Sequence, residues 1–391
     1  MKEFNLKPIE RESYDVIVIG GGIAGVAAAV AAARGGAKTF LIEKSVNLGG
    51  LATNGLISWY EPLCDGQGTQ MVKGIAEELI KLCSQYSFDN LPKCWGGSGH
   101  NKPRNQRYST FFSPTVFSAA LDKFVVDSGV KLRFDTLATY PVMNKNVCEG
   151  VITESVSGAE YFGAKVVIDA SGDASVLFRA GVPTVEGKNY MTYVAHYCDI
   201  EGNEKLCADS DFAAFRKWMG IGSDMFGNGH PEGMKRISGT DADEVTQYML
   251  TGKACLMERI KNMDKDSYDV MTLPFMPQLR TIRRLYGETD FNAVDGETYD
   301  DAIGNCGDFR PDGAGKHYQI PFGALYNRDF PNLLAAGRII SAPQGDGWEI
   351  ARVIPNCALT GEAAGKAAAL KALSGYSFEN IRSEHMDKIF I

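Results

Sequence analysis

The stretch from Tyr14 to Glu43, YDVIVIGGGIAGVAAAVAAARGGAKTFLIE, constrains this chain more than any other. Tyr14 to Ile19 is a short β-branched apolar run, the composition of a buried parallel strand. Gly20, Gly22 and Gly25 follow as G-x-G-x-x-G. Ala24 to Arg34 is nearly all alanine and valine, which predicts a helix lying close to its neighbours. Thr39 to Ile42 reads as a second strand and ends at Glu43. Strand, glycine turn, helix, strand and acid in this register describe a dinucleotide cradle. Gly20 permits the tight turn, Gly22 lets a pyrophosphate approach the backbone, and Gly25 lets the helix pack on the strand. The helix start at Ile23 and Ala24 offers free N–H groups and a partial positive charge. Glu43, with Lys44 beside it, stands where a carboxylate can accept hydrogen bonds from a ribose diol. The competing reading of Val16 to Ala33 is a membrane span, since the run carries no charge. Three consecutive glycines and an alanine-rich second half make it too weakly hydrophobic for lipid.

A chain of 391 residues can bury a large core and should form about two domains. Its 45% hydrophobic and 23% charged content are ordinary for a soluble globular protein. A net charge of −8 provides no electrostatic footprint for nucleic acid or an anionic membrane. The first 13 residues are polar, without the apolar core of a signal peptide, so a cytoplasmic protein is expected. The nine cysteines are scattered and form no C-x-x-C. That argues against a disulfide framework, a zinc site and a dithiol redox centre, and no metal is expected.

Further along, small residues recur where a ligand would need room. Gly49-Gly50-Leu51-Ala52-Thr53 begins six residues after Glu43. It is either a glycine-rich turn or a place where backbone passes close to a flat, bulky ligand. Lys165 to Asp169 is an apolar strand ending in Ala170-Ser171-Gly172-Asp173. Small residues at a strand's carboxyl end suit a passing cofactor, while Asp173 could instead only cap a helix over Ala174 to Ala180. Helices are predicted from Gly74 to Ser84, from Pro114 to Asp127 and from Ala242 to Lys261, and strands at Val130 to Phe134 and Val147 to Thr153. Residues 85 to 110, including Trp95 to His100, read as a long loop. His196 lies in an alternating strand pattern and reads as a core or surface histidine. Arg280, Arg283 and Arg284 crowd into five residues, either as an anion-binding cluster or as solvated charges on an edge strand. His317 and Tyr318 open another strand and are either acid–base candidates or packing residues. Near the C-terminus, Asn332 to Ser341 is a strand ending in small residues, including Gly337 and Arg338. Asp346 to Arg352 reads as a loop. Pro355 then starts a long helix with a small-residue face at Gly361, Ala364, Gly365 and Ala368.

Taken together, these stretches resemble the FAD-dependent oxidoreductases with the two-dinucleotide-binding-domain fold, a group that includes the fumarate reductase flavoproteins. The likeness runs from Tyr14 to about Leu373 and is strongest at the two ends. It implies an α/β, Rossmann-like FAD-binding domain of the glutathione-reductase type, formed by residues 1–183 and 325–391. A mixed α+β substrate or cap domain would be inserted at 184–324. It further implies that Gly20, Gly22 and Gly25 hold the FAD pyrophosphate and that Glu43 binds the adenosine ribose. Gly49 to Thr53 would run along the flavin side, and the backbone near Leu137 to Thr139 would pack on the adenine. Ala170, Ser171 and Gly172 correspond to the family's small-residue motif at the second strand end. Gly337 and Arg338 would lie near the pyrophosphate or ribityl chain, and Ile354, Asn356 and Cys357 by the flavin pyrimidine.

A helix N-terminus there would stabilise the negative charge of reduced flavin. No histidine occurs in Gly49 to Gly55, so covalent attachment of the flavin is not expected. The function this favours is hydride transfer between a small organic substrate and non-covalent FAD, with an unidentified electron donor or acceptor and no nucleic acid or membrane partner; a homo-oligomer is compatible with it. Arg280, Arg283, His317 and Arg352 are the candidate catalytic residues. An NAD-dependent dehydrogenase and a flavin monooxygenase or halogenase are the alternatives, along with an FAD-bearing binding or tRNA-modifying role that the acidic balance disfavours.

Overall fold

The computed structural model describes residues 7–97, 107–224 and 227–391. Residues 98–106 of the expected long loop, including Ser98 to His100, lie outside them. The principal sheet runs in the order Lys131–Arg133, Thr39–Ile42, Tyr14–Ile19, Gly158–Asp169, Val147–Ser155 and Leu137–Asn144. Ile9–Glu10 and Leu333–Ala335 also pair with Gly158–Asp169. The half of the sheet nearest the glycine turn is parallel: Ile17 pairs Phe40 on one side and Val167 on the other, and Val167 pairs Leu333. Tyr14–Ile19 and Thr39–Ile42 are almost wholly buried, which is why they read as continuous apolar runs rather than alternating ones. Val147–Ser155 joins antiparallel to both neighbours and forms a three-stranded extension.

The two ends of the chain meet on this sheet. Helix Ile23–Arg34 lies against helix Ile354–Ser374, and they approach closely because glycines of the second meet alanines of the first at the crossing. A Cβ at Gly361 would sit 2.1 Å from the Ala24 carbonyl oxygen, and one at Gly365 would sit 2.2 Å from that of Ala28. Alanine in an exposed helix favours folding over glycine by about 1 kcal/mol. At Gly365 the sign should reverse: Gly365→Ala is expected to cost about 1–3 kcal/mol through overpacking. Denaturant unfolding checks this, and an unchanged or raised stability would refute the close crossing.

A second, smaller apolar core gathers Met191, Tyr193, Met219, Ile221, Tyr248 and Leu279. It lies between the antiparallel sheet of Thr192–Asp199, Lys217–Gly222 and Tyr268–Thr272 and the helix Ala242–Lys261. These elements lie within the stretch read as an inserted α+β portion. Leu285, Phe291, Ile303, Tyr318 and Phe322 belong to the main core. The hairpin Ala302–Gly307 and His317–Pro321 packs beneath helix Ile354–Ser374, so that a Cβ on Gly304 would meet Leu359. Asp346–Ala351, read as a loop, is a short helix. Among the described residues no helix is long and apolar enough to cross a membrane.

Candidate active site

Above the carboxyl ends of the parallel strands lies a cavity of about 330 Å³, where ligands of open α/β sheets bind. Gly20 has φ +95°, and a Cβ there would strike the Ala170 backbone at 2.6 Å, so only glycine makes this turn. A Cβ on Gly25 would fall 1.8 Å from the Gly20 carbonyl oxygen. Gly25 therefore brings helix and strand together and does not line the cavity. Gly22 differs from both: a Cβ there meets nothing within 4 Å, because it points into open space. Ile23 and Ala24 line the same wall at the start of their helix, whose N-cap is Gly22 with no side-chain cap.

The loop Gly49, Gly50, Leu51 and Ala52 forms the opposite wall, held by a Gly49 N–H bond to the Gly21 carbonyl at 2.8 Å. Glu43 lines one end, with Lys44 next to it. Its two carboxylate oxygens accept the N–H groups of Gly21 at 2.6 Å and Ser45 at 2.8 Å. Each oxygen keeps a lone pair for a ribose hydroxyl. Ala170, Ser171 and Gly172 lie beneath, together with Gly337 and Arg338. Arg338 donates from Nε to the Gly172 carbonyl at 2.9 Å, and burial pulls its pKa below the usual value. No ion pair reaches Arg338 among the described residues.

Asp169 anchors this wall. Its buried carboxylate accepts from the N–H and Oγ of Ser171 at 2.9 and 2.6 Å and from the N–H groups of Val176 and Leu177 at 3.0 Å each. It thus does the capping that the sequence offered to Asp173, which accepts only the Ser175 N–H from the following helix. Phe275, Met276 and Pro277, from the inserted portion, close the cavity on the remaining side. Sequence reading did not assign them here, since nothing local marks a loop that reaches back to a distant fold.

Arg352, Ile354 and Cys357 line the far end, and there Arg352 also lines a second cavity of about 550 Å³. Its Nε donates to Glu349 Oε2 at 3.1 Å, and its guanidinium stacks 4.8 Å from the Trp348 ring. Arg280 enters the second cavity with its Nε buried and unpartnered. Burial and the neighbouring Arg352 lower its pKa to about 10. Glu61 stands in the same wall and is 6% exposed. Its Oε2 accepts the Ile354 N–H at 3.0 Å, at the first turn of the C-terminal helix. Burial pushes its pKa up to about 7, against the opposing pull of backbone N–H groups, Arg352 and Arg280. Part of the helix terminus expected to face the flavin is therefore taken by a carboxyl. Sequence reading missed Glu61, although one acid inside the apolar run Leu56 to Leu63 was a signal for a buried group.

Besides Gly25, four sequence-based assignments do not line either cavity. Arg283 lies 3.6 Å from Glu186 and stacks 4.2 Å from Phe178, because its strand pairs with Thr184–Glu186. His317 is exposed at the start of its strand, where its N–H bonds Asp295 at 3.0 Å. Thr53 turns inward to donate to the Leu48 carbonyl at 2.5 Å. Asn356 is buried and donates to the Ile350 carbonyl at 2.7 Å, which ties helix Asp346–Ala351 to helix Ile354–Ser374. His196 is a core histidine as read: it is 1% exposed, bonds the Leu56 carbonyl at 2.9 Å, and is pulled down to about 4 by burial.

The donor set fits a dinucleotide. Open space faces Gly22, uncapped helix N–H groups adjoin it, and the half-buried Arg338 guanidinium, without a carboxylate, suits a diphosphate. This fold and site define a flavin-dinucleotide-binding α/β protein. The family model for FAD dependent oxidoreductases matches residues 15–219 and 254–389. Among curated proteins, a digeranylgeranylglycerophospholipid reductase of Methanoculleus marisnigri is 27% identical over 197 residues, 48% of this chain and 46% of that protein. A tRNA uridine 5-carboxymethylaminomethyl modification enzyme of Bacillus cereus is 30% identical over 165 residues, 40% of this chain and 24% of that protein. The matches thus span less than half the length of either relative. In fold the chain is similar to a geranylgeranyl bacteriochlorophyll reductase-like protein of Thermoplasma acidophilum, with TM-score 0.50 and 17% identity over 97% of this chain and 82% of that one. The chain belongs to the FAD-dependent oxidoreductase family, and its cofactor is FAD.

Proposed function

We propose that the protein transfers a hydride between a small organic substrate in the second cavity and non-covalently bound FAD in the first. The observation that carries this reading is Arg352, which forms a wall of both cavities. When bound, the flavin supplies a two-electron hydride acceptor or donor. The chain's own groups do the rest. The Ile23 helix terminus and Arg338 meet the diphosphate charge, and Glu43 orients the ribose. Arg352, held by Glu349 and Trp348, keeps a cation at the junction. The aromatic walls of the second cavity exclude water from the reacting atoms. Glu61 is the group able to take or supply a proton at the substrate, since both of its forms are populated near neutral pH.

Anaerobic titration of the yellow protein with hydroxy acids, enoates, sugars and amines tests the reading, with the enoates and oxidised members added to dithionite-reduced protein. At least one class should bleach the oxidised flavin band or restore the reduced one, and Arg352→Ala should slow that change at least about 100-fold. Full-speed bleaching in the Arg352 variant would place the chemistry elsewhere.

A further inference from the structure

The second cavity contains donors with nothing to donate to. Arg280 Nε and Trp348 Nε1 are both buried and without a hydrogen-bond partner, and both residues line the space. Trp348 is 6% exposed. Leaving a buried charged donor unmet costs several times what its hydrogen bond contributes on balance. Arg352 has its counter-charge in Glu349, and Glu61 is committed to the Ile354 N–H. Arg280 forms no ion pair among the described residues, and Lys188 adds another cation at the exposed rim. Trp59, Trp218 and Phe309 join Trp348 around the space, beside polar groups that include Thr192, Ser223 and Asp224.

We propose that the second cavity binds a flat, apolar molecule through a single carboxylate held by the Arg280 guanidinium. The planar guanidinium fork matches a planar carboxylate, and the rings supply stacking faces for the body. Glu61, Asp224 and Glu349 share the cavity and oppose a second negative charge, which favours a monoanion over a dianion. This names a substrate class for the chamber assigned above and rests on that assignment for its link to the flavin.

The test is calorimetric titration of the FAD-loaded protein with 2-naphthoate and with its neutral isostere 2-naphthamide, while the flavin spectrum is recorded. Naphthoate should bind at least about 10-fold tighter than naphthamide, the size of a charge-assisted hydrogen bond. Arg280→Met should weaken naphthoate by about 10-fold or more and naphthamide by less than about 3-fold, with Arg280→Lys in between. Equal affinities for the two probes in the wild-type protein, or no binding of either, overturn the proposal without recourse to a variant. Equal weakening of both probes by Arg280→Met also overturns it. Charge-selective, Arg280-dependent binding that leaves the flavin spectrum unmoved upholds the carboxylate site and sinks the chamber's link to the flavin. A spectral shift produced by both probes at equal affinities upholds that link and sinks the carboxylate site.

Discussion

Gly22→Val is expected to yield a folded, colourless protein. Gly22 has φ −64° and ψ 175°, a conformation open to any residue, so valine brings no backbone strain. Its Cβ would meet no atom within 4 Å, so it brings no clash either. The branched side chain instead fills the space a pyrophosphate needs beside the helix N–H groups. Loss of even two charge-assisted hydrogen bonds lowers affinity on the order of 100-fold or more. The ratio of flavin to protein absorbance after reconstitution should fall to near zero, with apo-protein unfolding close to that of the wild type. Gly25→Val is the contrasting control. Its Cβ would lie 1.8 Å from the Gly20 carbonyl oxygen, so this variant should misfold. A Gly22→Val protein that stays yellow at full stoichiometry would remove the phosphate from this turn.

Glu61→Gln should cut turnover by about 100-fold or more while FAD is retained. The wild-type rate should show a limb with its midpoint near pH 7, where Glu61 titrates. If the enzyme oxidises its substrate, the carboxylate is the active form and the rate rises through pH 7. If it reduces its substrate, the acid is the active form and the rate falls through pH 7. The sign of the limb therefore reports the direction of the physiological reaction, and the limb should vanish in Glu61→Gln. The groups facing Glu61 are Arg280, Arg352, Cys357 and Tyr60, and Glu349 lines the same cavity. The Cys357 thiol is pushed up to about 12 by burial, and Arg280 sits near 10, so neither titrates at neutral pH. Stability should move as well. The folded-state pKa of Glu61 lies above its ordinary 4.5, so its contribution is fully present below that value and is lost as pH rises through 7. A Glu61→Gln enzyme with the wild-type rate and pH profile would sink the assignment.

The cradle was legible because its constraints are local. A turn at positive φ, a close helix and a strand-end acid each demand one residue type at a set spacing, and Gly20, Gly25 and Glu43 meet those demands within 24 residues. The three neighbouring arginines show where such reading ends. Arg280, Arg283 and Arg284 look alike in sequence, yet one lines a cavity and the other two pair with Glu186 and Asp290. Their fates depend on which distant segment packs over each, and spacing carries no record of that.

By itself the sequence determined that this chain binds a dinucleotide on a parallel sheet, since the backbone geometry of the glycine turn is written in consecutive residues. Only the tertiary structure decided which charges line the second cavity. Glu61, Arg280 and Arg352 come from three separated stretches, and it is burial at their meeting point that lifts one pKa, lowers another and leaves a guanidinium without a partner.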